Sequence, residues 1–348
     1  MEDFYTYKFS LWKIRIIKRF FPTVKGNLSS RQEVEDLCQK KGKIRLLVWG
    51  STLENERVNF NKSVEVYRLE DGFIRSIGLG IRLSIPISLV ADPIGIYYDA
   101  TKPSYLEEIL LARKFDNVIL ERAQRVIELL RRYKITKYNI STDKKWRPPR
   151  TDKKIIVVPG QVESDASIKF GSPYIKTNLE LLKSVREHNP NAYIVYKPHP
   201  DVVGGYRKGS YKPGELLKFC DEICVNSSSY DIISYADEVH VLTSLFGFEA
   251  LIAGKPVTCY GHPFYAGYGL TTDIYPHPRR NIKLSLQELV AGALLLYPMY
   301  VSLIDGNRIS AEEAIFELVN LKKNLPFKLK LWGLLQNLFD PFLKIRKF

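Results

Sequence analysis

Residues 142–154, TDKKWRPPRTDKK, combine dense charge with adjacent prolines and show no apolar period, so neither a helix nor a strand is expected to run through them. They predict a linker. On both sides of it, short β-branched runs alternate with helical stretches, the pattern of α/β domains. Ahead of it, IRLLVWG (44–50), VEVY (64–67) and SLVA (88–91) read as buried strands, followed by one helical stretch over about 104–134. Behind it, IIVV (155–158), YIVY (193–196), EVHVL (238–242) and PVTCY (256–260) alternate with helices expected over 178–188, 214–220 and 246–253. The expectation is two Rossmann-like α/β domains with a cleft between them. A first domain spans 26–141 and a second 155–310, with a basic amphipathic segment at 1–25 and helices at 311–348 that end in a second basic amphipathic segment.

The composition fits this outline. At 348 residues and 45% apolar, the chain is too apolar for disorder and too long for one core, because single cores stop growing near ~250–300 residues. Lys and Arg number 52 against 38 Asp and Glu, a formal charge of +14. Residues 4–25 hold +6 of it and residues 322–348 another +6, so the body is close to neutral. Both ends also carry apolar residues at helical spacing: Phe9, Trp12, Ile16 and Phe20 at one, Phe327, Leu331, Leu334, Leu335, Leu338 and Phe342 at the other. Such helices suit an anionic membrane surface; equally, the apolar faces can pack on the body, and periodicity does not choose. Nucleic acid is not an expected partner, since no binding motif appears. The four cysteines (38, 220, 224 and 259) lack a Cys-x-x-Cys pair and point to a reducing compartment. The longest charge-free apolar stretch, 289–304, has 16 residues and contains Pro298, short of the ~20 that span a bilayer. No signal-peptide pattern is present at the start, and a cytoplasmic location is expected.

Ligands of parallel sheets bind beyond the carboxyl ends of the strands, so polar residues that follow apolar runs are the candidates. Glu70 and Asp71 precede a glycine, with Arg68 and Arg75 on either side. Gln161 and Asp165 follow the 155–158 run. Lys197 and His199 stand in Lys-Pro-His-Pro, where two prolines restrict the imidazole's backbone. Thr243 and Ser244 begin a helix ahead of Glu249, a place where free N–H groups favour phosphate or carboxylate. Residues 261–269, GHPFYAGYG, form a glycine-rich aromatic loop suited to a sugar or base. Each also has an ordinary structural use: Glu70 and Asp71 as turn caps, Asp165 in an Asx turn, Ser244 as a helix N-cap. Of the other histidines, 188, 240 and 277 read as structural or solvated, and His262 stays open.

At these places the chain resembles the bacterial capsule β-Kdo glycosyltransferases of the KpsC type. The resemblance rests on RLEDGFIRSIGLG (68–80), ADPIGIYYDATKPS (91–104), VPGQVESDASI (158–168), NPNAYIVYKPHPDV (189–202) and TSLFGFEALIAGKPVTCYGHPFYAGYGLTTD (243–273), in that order. It implies a GT-B-like fold and transfer of Kdo from CMP-Kdo, with retention, onto a phosphatidylglycerol-type lipid or Kdo-lipid acceptor at the inner face of the cytoplasmic membrane. No metal or other cofactor is implied, and other capsule assembly proteins are candidate partners. The family pattern makes Asp165 the nucleophile with Gln161 beside it, and Glu70 or Asp71 the base, with Asp71 preferred. His199, Ser244 and Lys197 then hold the CMP phosphate, and Arg75 meets the Kdo carboxylate. Thr243 and Glu249 join the donor site. The best-known members carry two such modules in tandem, whereas this chain has one set of motifs. Two other functions compete: inverting transfer of another CMP-activated acid with Asp71 as sole base, and a non-catalytic capsule-assembly scaffold.

Overall fold

The computed structural model describes residues 3–323 apart from 57, 78–84, 138, 140–145 and 204–211. The chain opens with β1 (Phe4–Tyr7), α1 (Leu11–Phe20), β2 (Val24–Leu28), α2 (Arg31–Lys41), β3 (Ile44–Trp49), α3 (Thr52–Glu56), β4 (Val64–Asp71) and β5 (Ser88–Asp92). Helices α4 (Tyr105–Ala112) and α5 (Asn117–Tyr133) follow. The second half runs β6 (Ile155–Pro159), α6 (Ala166–Gly171), α7 (Asn178–His188), β7 (Tyr193–Lys197), α8 (Pro200–Val203), α9 (Pro213–Leu216), β8 (Glu222–Ile223) and α10 (Ser229–Tyr235). It continues through β9 (Glu238–Val241), α11 (Leu245–Ile252), β10 (Val257–Cys259) and β11 (Thr272–Asp273). Last come α12 (Leu286–Val290), a π-helical turn (Ala291–Leu296), β12 (Pro298–Tyr300) and α13 (Ala311–Lys323).

Among the described residues two six-stranded sheets form, ordered β12-β5-β4-β3-β1-β2 and β11-β10-β9-β6-β7-β8. The second is parallel throughout; in the first, β5 and β12 each run antiparallel to their predecessor in the order β4-β5-β12. Ile156, Val157 and Val158 of β6 are fully buried, as a sheet covered by helices on both faces requires. The helical stretch expected over 104–134 is two helices. Arg113 takes a left-handed conformation (φ 49°) and ends α4, and the Asp116 carboxylate caps α5 by accepting from the Ile119 N–H at 2.8 Å.

Of the two readings of the N-terminal apolar face, the structure shows packing on the body. Strand β1 lies between β2 and β3, parallel to both, and Phe9, Ile17, Phe20 and Phe21 are buried against Leu47, Leu69 and Leu89. Residues 3–25 are therefore part of the first sheet's layer, because a strand with two paired edges has to lie inside the fold. The chain also crosses between the halves before residue 310: β12 returns from the second half to pair with β5, and Arg122 of α5 holds Glu312 of α13 at 2.9 Å. Of the expected linker, residues 146–154 are described. They run as coil with Trp146 buried and donating to the Glu222 carboxylate at 2.6 Å. Residues 324–348, most of the basic C-terminal end, lie outside the described residues. Among those described, no helix is long and apolar enough to cross a membrane.

An aromatic cluster joins the halves. Phe73 stacks on Phe264 with ring centroids 4.4 Å apart, and Tyr97 and Phe248 meet them edge-on or tilted. Arg279 and Arg280 cross to the buried Glu107 of α4, at 2.7 and 2.9 Å.

Candidate active site

The carboxyl ends of β3, β4, β6, β7 and β9 open onto one cleft of about 960 Å³ between the halves, and all ten residues singled out from the sequence line it. On the second-sheet side, Gly160 leaves β6 where a Cβ would come within 2.2 Å of the Tyr196 hydroxyl oxygen, so only glycine fits without a shift. The Gln161 amide then bonds Thr243 twice, donating to its hydroxyl and accepting its backbone N–H, both at 3.0 Å. The side chain of Gln161 is thus braced against the β9 exit. Asp165 caps α6: its Oδ1 accepts the N–H and hydroxyl of Ser167 at 3.0 and 2.9 Å, which orients the carboxylate at the cleft wall.

Lys197 ends β7 largely buried, donating to the Ser227 carbonyl at 2.7 Å; desolvation lowers its pKa. His199 accepts the Asp201 backbone N–H at Nδ1 (3.1 Å), which places the neutral ring's proton on Nε2. Ser244 is the N-cap of α11, its hydroxyl accepting from Phe246 N–H at 3.2 Å. Glu249, on the same helix, accepts the Lys137 backbone N–H at 2.8 Å, and burial pushes its carboxyl up to about 7. It ties α11 to the coil after α5.

On the first-sheet side the adjacent acids differ. Asp71 accepts from Arg75 Nε at 2.6 Å, and Arg75, buried, also donates to the Ser76 hydroxyl. The guanidinium expected to meet a substrate carboxylate is thus already engaged with Asp71. Glu70 is half-buried on the cleft wall, and desolvation together with the Asp71 charge raises its carboxyl to about 7; Lys137 opposes the shift and Asp165, from the other half, adds to it.

The structure adds wall residues that the sequence reading did not assign to a site. Lys13 and Trp12 come from α1, the Gly50-Ser51-Thr52 turn from the β3 exit, Tyr98 from the segment after β5, and Ser227–Ser229 from the β8 exit. The β3 exit obeys the strand-end rule already applied to the other strands. The glycine-rich loop 261–269 is mostly core: Tyr265 and Tyr268 are buried, and Pro263 and Phe264 are its residues at the cleft. His262 lies off the cleft, its Nε2 at 3.0 Å from the Tyr275 carbonyl.

Two Rossmann-like halves facing each other across a cleft at their strand ends define a GT-B-like fold. The chain belongs to the capsule polysaccharide biosynthesis protein family, whose model matches residues 45–309. It is 91% identical to a solved structure of Thermosulfurimonas dismutans KpsC, beta Kdo 2,7 transferase, over 92% of this chain and 100% of that one, with a TM-score of 0.82. It is 29% identical to the beta Kdo 2,4 transferase of the same KpsC, over 90% of this chain and 97% of that one, with a TM-score of 0.75. Over 92% of its length it is 44% identical to the capsule polysaccharide modification protein LipA of Neisseria meningitidis serogroup A, and spans 46% of that protein. The chain therefore spans about half the length of the curated LipA relatives it matches. The KpsC-type resemblance seen in the motifs is borne out at the level of family and fold.

Proposed function

We propose that this chain is a retaining glycosyltransferase that moves Kdo from CMP-Kdo to a glycolipid or Kdo-lipid acceptor in the synthesis of a capsule's β-Kdo linker. One observation carries this: carboxylates from opposite halves, Asp165 and Glu70, line a single cleft. The 91% identity to a structure described as a beta Kdo 2,7 transferase supports the choice of sugar.

Retention at one anomeric carbon takes two displacements. In the first, Asp165 attacks C2 of the donor's Kdo, the C2–O bond to CMP breaks, and its electron pair leaves on the phosphate. His199 meets that charge through Nε2–H, together with Lys197 and the N–H groups that begin α11. In the second, an acceptor hydroxyl attacks C2, Glu70 takes its proton, and the electrons of the C2–O bond return to Asp165. Glu70 suits the base better than Asp71, because Arg75 holds Asp71 while a carboxyl near 7 is poised to take a proton at neutral pH.

In this scheme the transfer is metal-independent, since a single departing phosphate is met by the groups just named. The enzyme works as a peripheral protein on an anionic membrane, with a phosphatidylglycerol-type or Kdo-terminated lipid as acceptor. Incubation with CMP-Kdo and a β-Kdo-terminated lipid, with and without chelator, followed by NMR of the product, tests the proposal. A β-linked product in both samples is expected. An α-linked product, or no transfer from CMP-Kdo, would overturn it.

A further inference from the structure

Lys13 is a cation whose place on the cleft wall the mechanism does not use. Its Nζ lies 3.9 Å from the centroid of the Trp49 ring, and both side chains line the cleft next to the β4 exit. Among the described residues no hydrogen bond or ion pair is made by this ammonium; Glu70 and Asp71 act on it only through space, and desolvation lowers its pKa. Asp71 already has Arg75 at 2.6 Å, so Lys13 is not needed to neutralise it. An ammonium on an indole face is attracted by the ring but makes no hydrogen bond to an oxygen there, and its N–H groups turned away from the ring are donors for another partner. Trp12, on the same wall, adds a second aromatic surface of the kind that packs against sugar rings.

We propose that Lys13, seated on Trp49, forms a subsite for an oxyanion of the acceptor. This rests on the transferase reading above. The assignment to the acceptor follows from placement: Lys13 stands on the first-sheet wall beside Glu70, the proposed acceptor base, whereas His199, Lys197 and Ser244 occupy the opposite wall. The oxyanion is either the carboxylate of a terminal sugar acid or the phosphodiester of a lipid headgroup.

The test is steady-state kinetics of Lys13→Met, which removes the charge and keeps an unbranched apolar side chain of similar length, and of Lys13→Arg. Acceptors are a β-Kdo glycoside as free acid, its methyl ester, and lipids with phosphodiester or neutral headgroups. For Lys13→Met, acceptor KM should rise about tenfold or more while kcat and donor KM change less than twofold, and Lys13→Arg should recover most of the loss. If the carboxylate is the ligand, the methyl ester binds native enzyme and Lys13→Met equally poorly. If the phosphodiester is, that contrast appears between the two lipids instead. The burst of CMP release without acceptor should stay at the native rate in both variants, which separates a lost subsite from a lost fold. Unchanged acceptor KM in Lys13→Met for every acceptor, or a rise confined to donor KM, would overturn the subsite. Absence of any CMP release or transfer by the native protein would instead overturn the transferase reading beneath it.

Discussion

Burial brings Glu70 and Glu249 to about the same pKa, near 7, yet only Glu70 is free of a structural backbone bond to another element. As the base it has to be ionised, so acceptor-dependent turnover should rise with pH to about 7 and then level off, while CMP release in the first displacement lacks that limb. Glu70→Gln should remove the limb and slow turnover by roughly 10²-fold or more; a pH profile of kcat unchanged by the substitution would contradict the assignment. Glu249 makes a different prediction. A carboxyl raised from 4.5 to about 7 contributes stability that is complete below 4.5 and lost as pH rises through 7. Glu249→Gln keeps an acceptor for Lys137 and should raise Tm by a few degrees at pH 8 with little change at pH 5, as thermal unfolding at the two values will read. At this scale much of the site was legible, because titratable residues after apolar runs are visible in one dimension. Asp71, Arg75 and Gln161 were legible as site residues but not in their partners: the Arg75–Asp71 pair and the Gln161–Thr243 brace depend on distances no sequence displays.

At the scale of elements, periodicity in residues 9–20 announces a buried face but not what buries it. Ile17 and Phe20 are within the first sheet's layer, while Leu11, at the start of the same helix, is 81% exposed. Ile17→Ala should cost about 2–4 kcal/mol, and Leu11→Ser no more than about 0.5 kcal/mol, in chemical denaturation. Equal costs would mean that α1 is not packed as described. The strands of both halves were legible because β-branched runs bounded by glycine and proline are local signals. The threading of β1 between β2 and β3 was not, since that pairing joins segments far apart in sequence, and Lys13 was missed with it. Trp49 was passed over for another reason: the Gly50-Ser51-Thr52 turn that follows it carries no titratable group, so a search led by chemistry gives it no weight.

Over the whole molecule, the second half's chain returns through β12 to the first sheet, and Arg279 and Arg280 pin the crossing to Glu107. A division by composition could place the linker but not this return. It bears on the proposed membrane attachment as well: α1 spends its apolar face on the core, so the proposal assigns the anchor to residues 322–348, which carry a net charge of +6. Removing residues 324–348 should shift the protein from anionic vesicles into the supernatant in flotation, with the native protein released by raised salt as charges are screened within ~8–10 Å. Equal vesicle binding with and without that end would remove it as the anchor.

The most direct test of the central claim is the intact mass of the Glu70→Gln protein after incubation with CMP-Kdo. With the second displacement slowed, Asp165 should retain the sugar: one added Kdo, mapped to the peptide 160–169, absent in Asp165→Ala and Asp165→Asn, both of which should also lack turnover. Substantial turnover by Asp165→Ala, or an unmodified mass for Glu70→Gln while CMP is released and an α-linked product forms, would contradict a double displacement on Asp165.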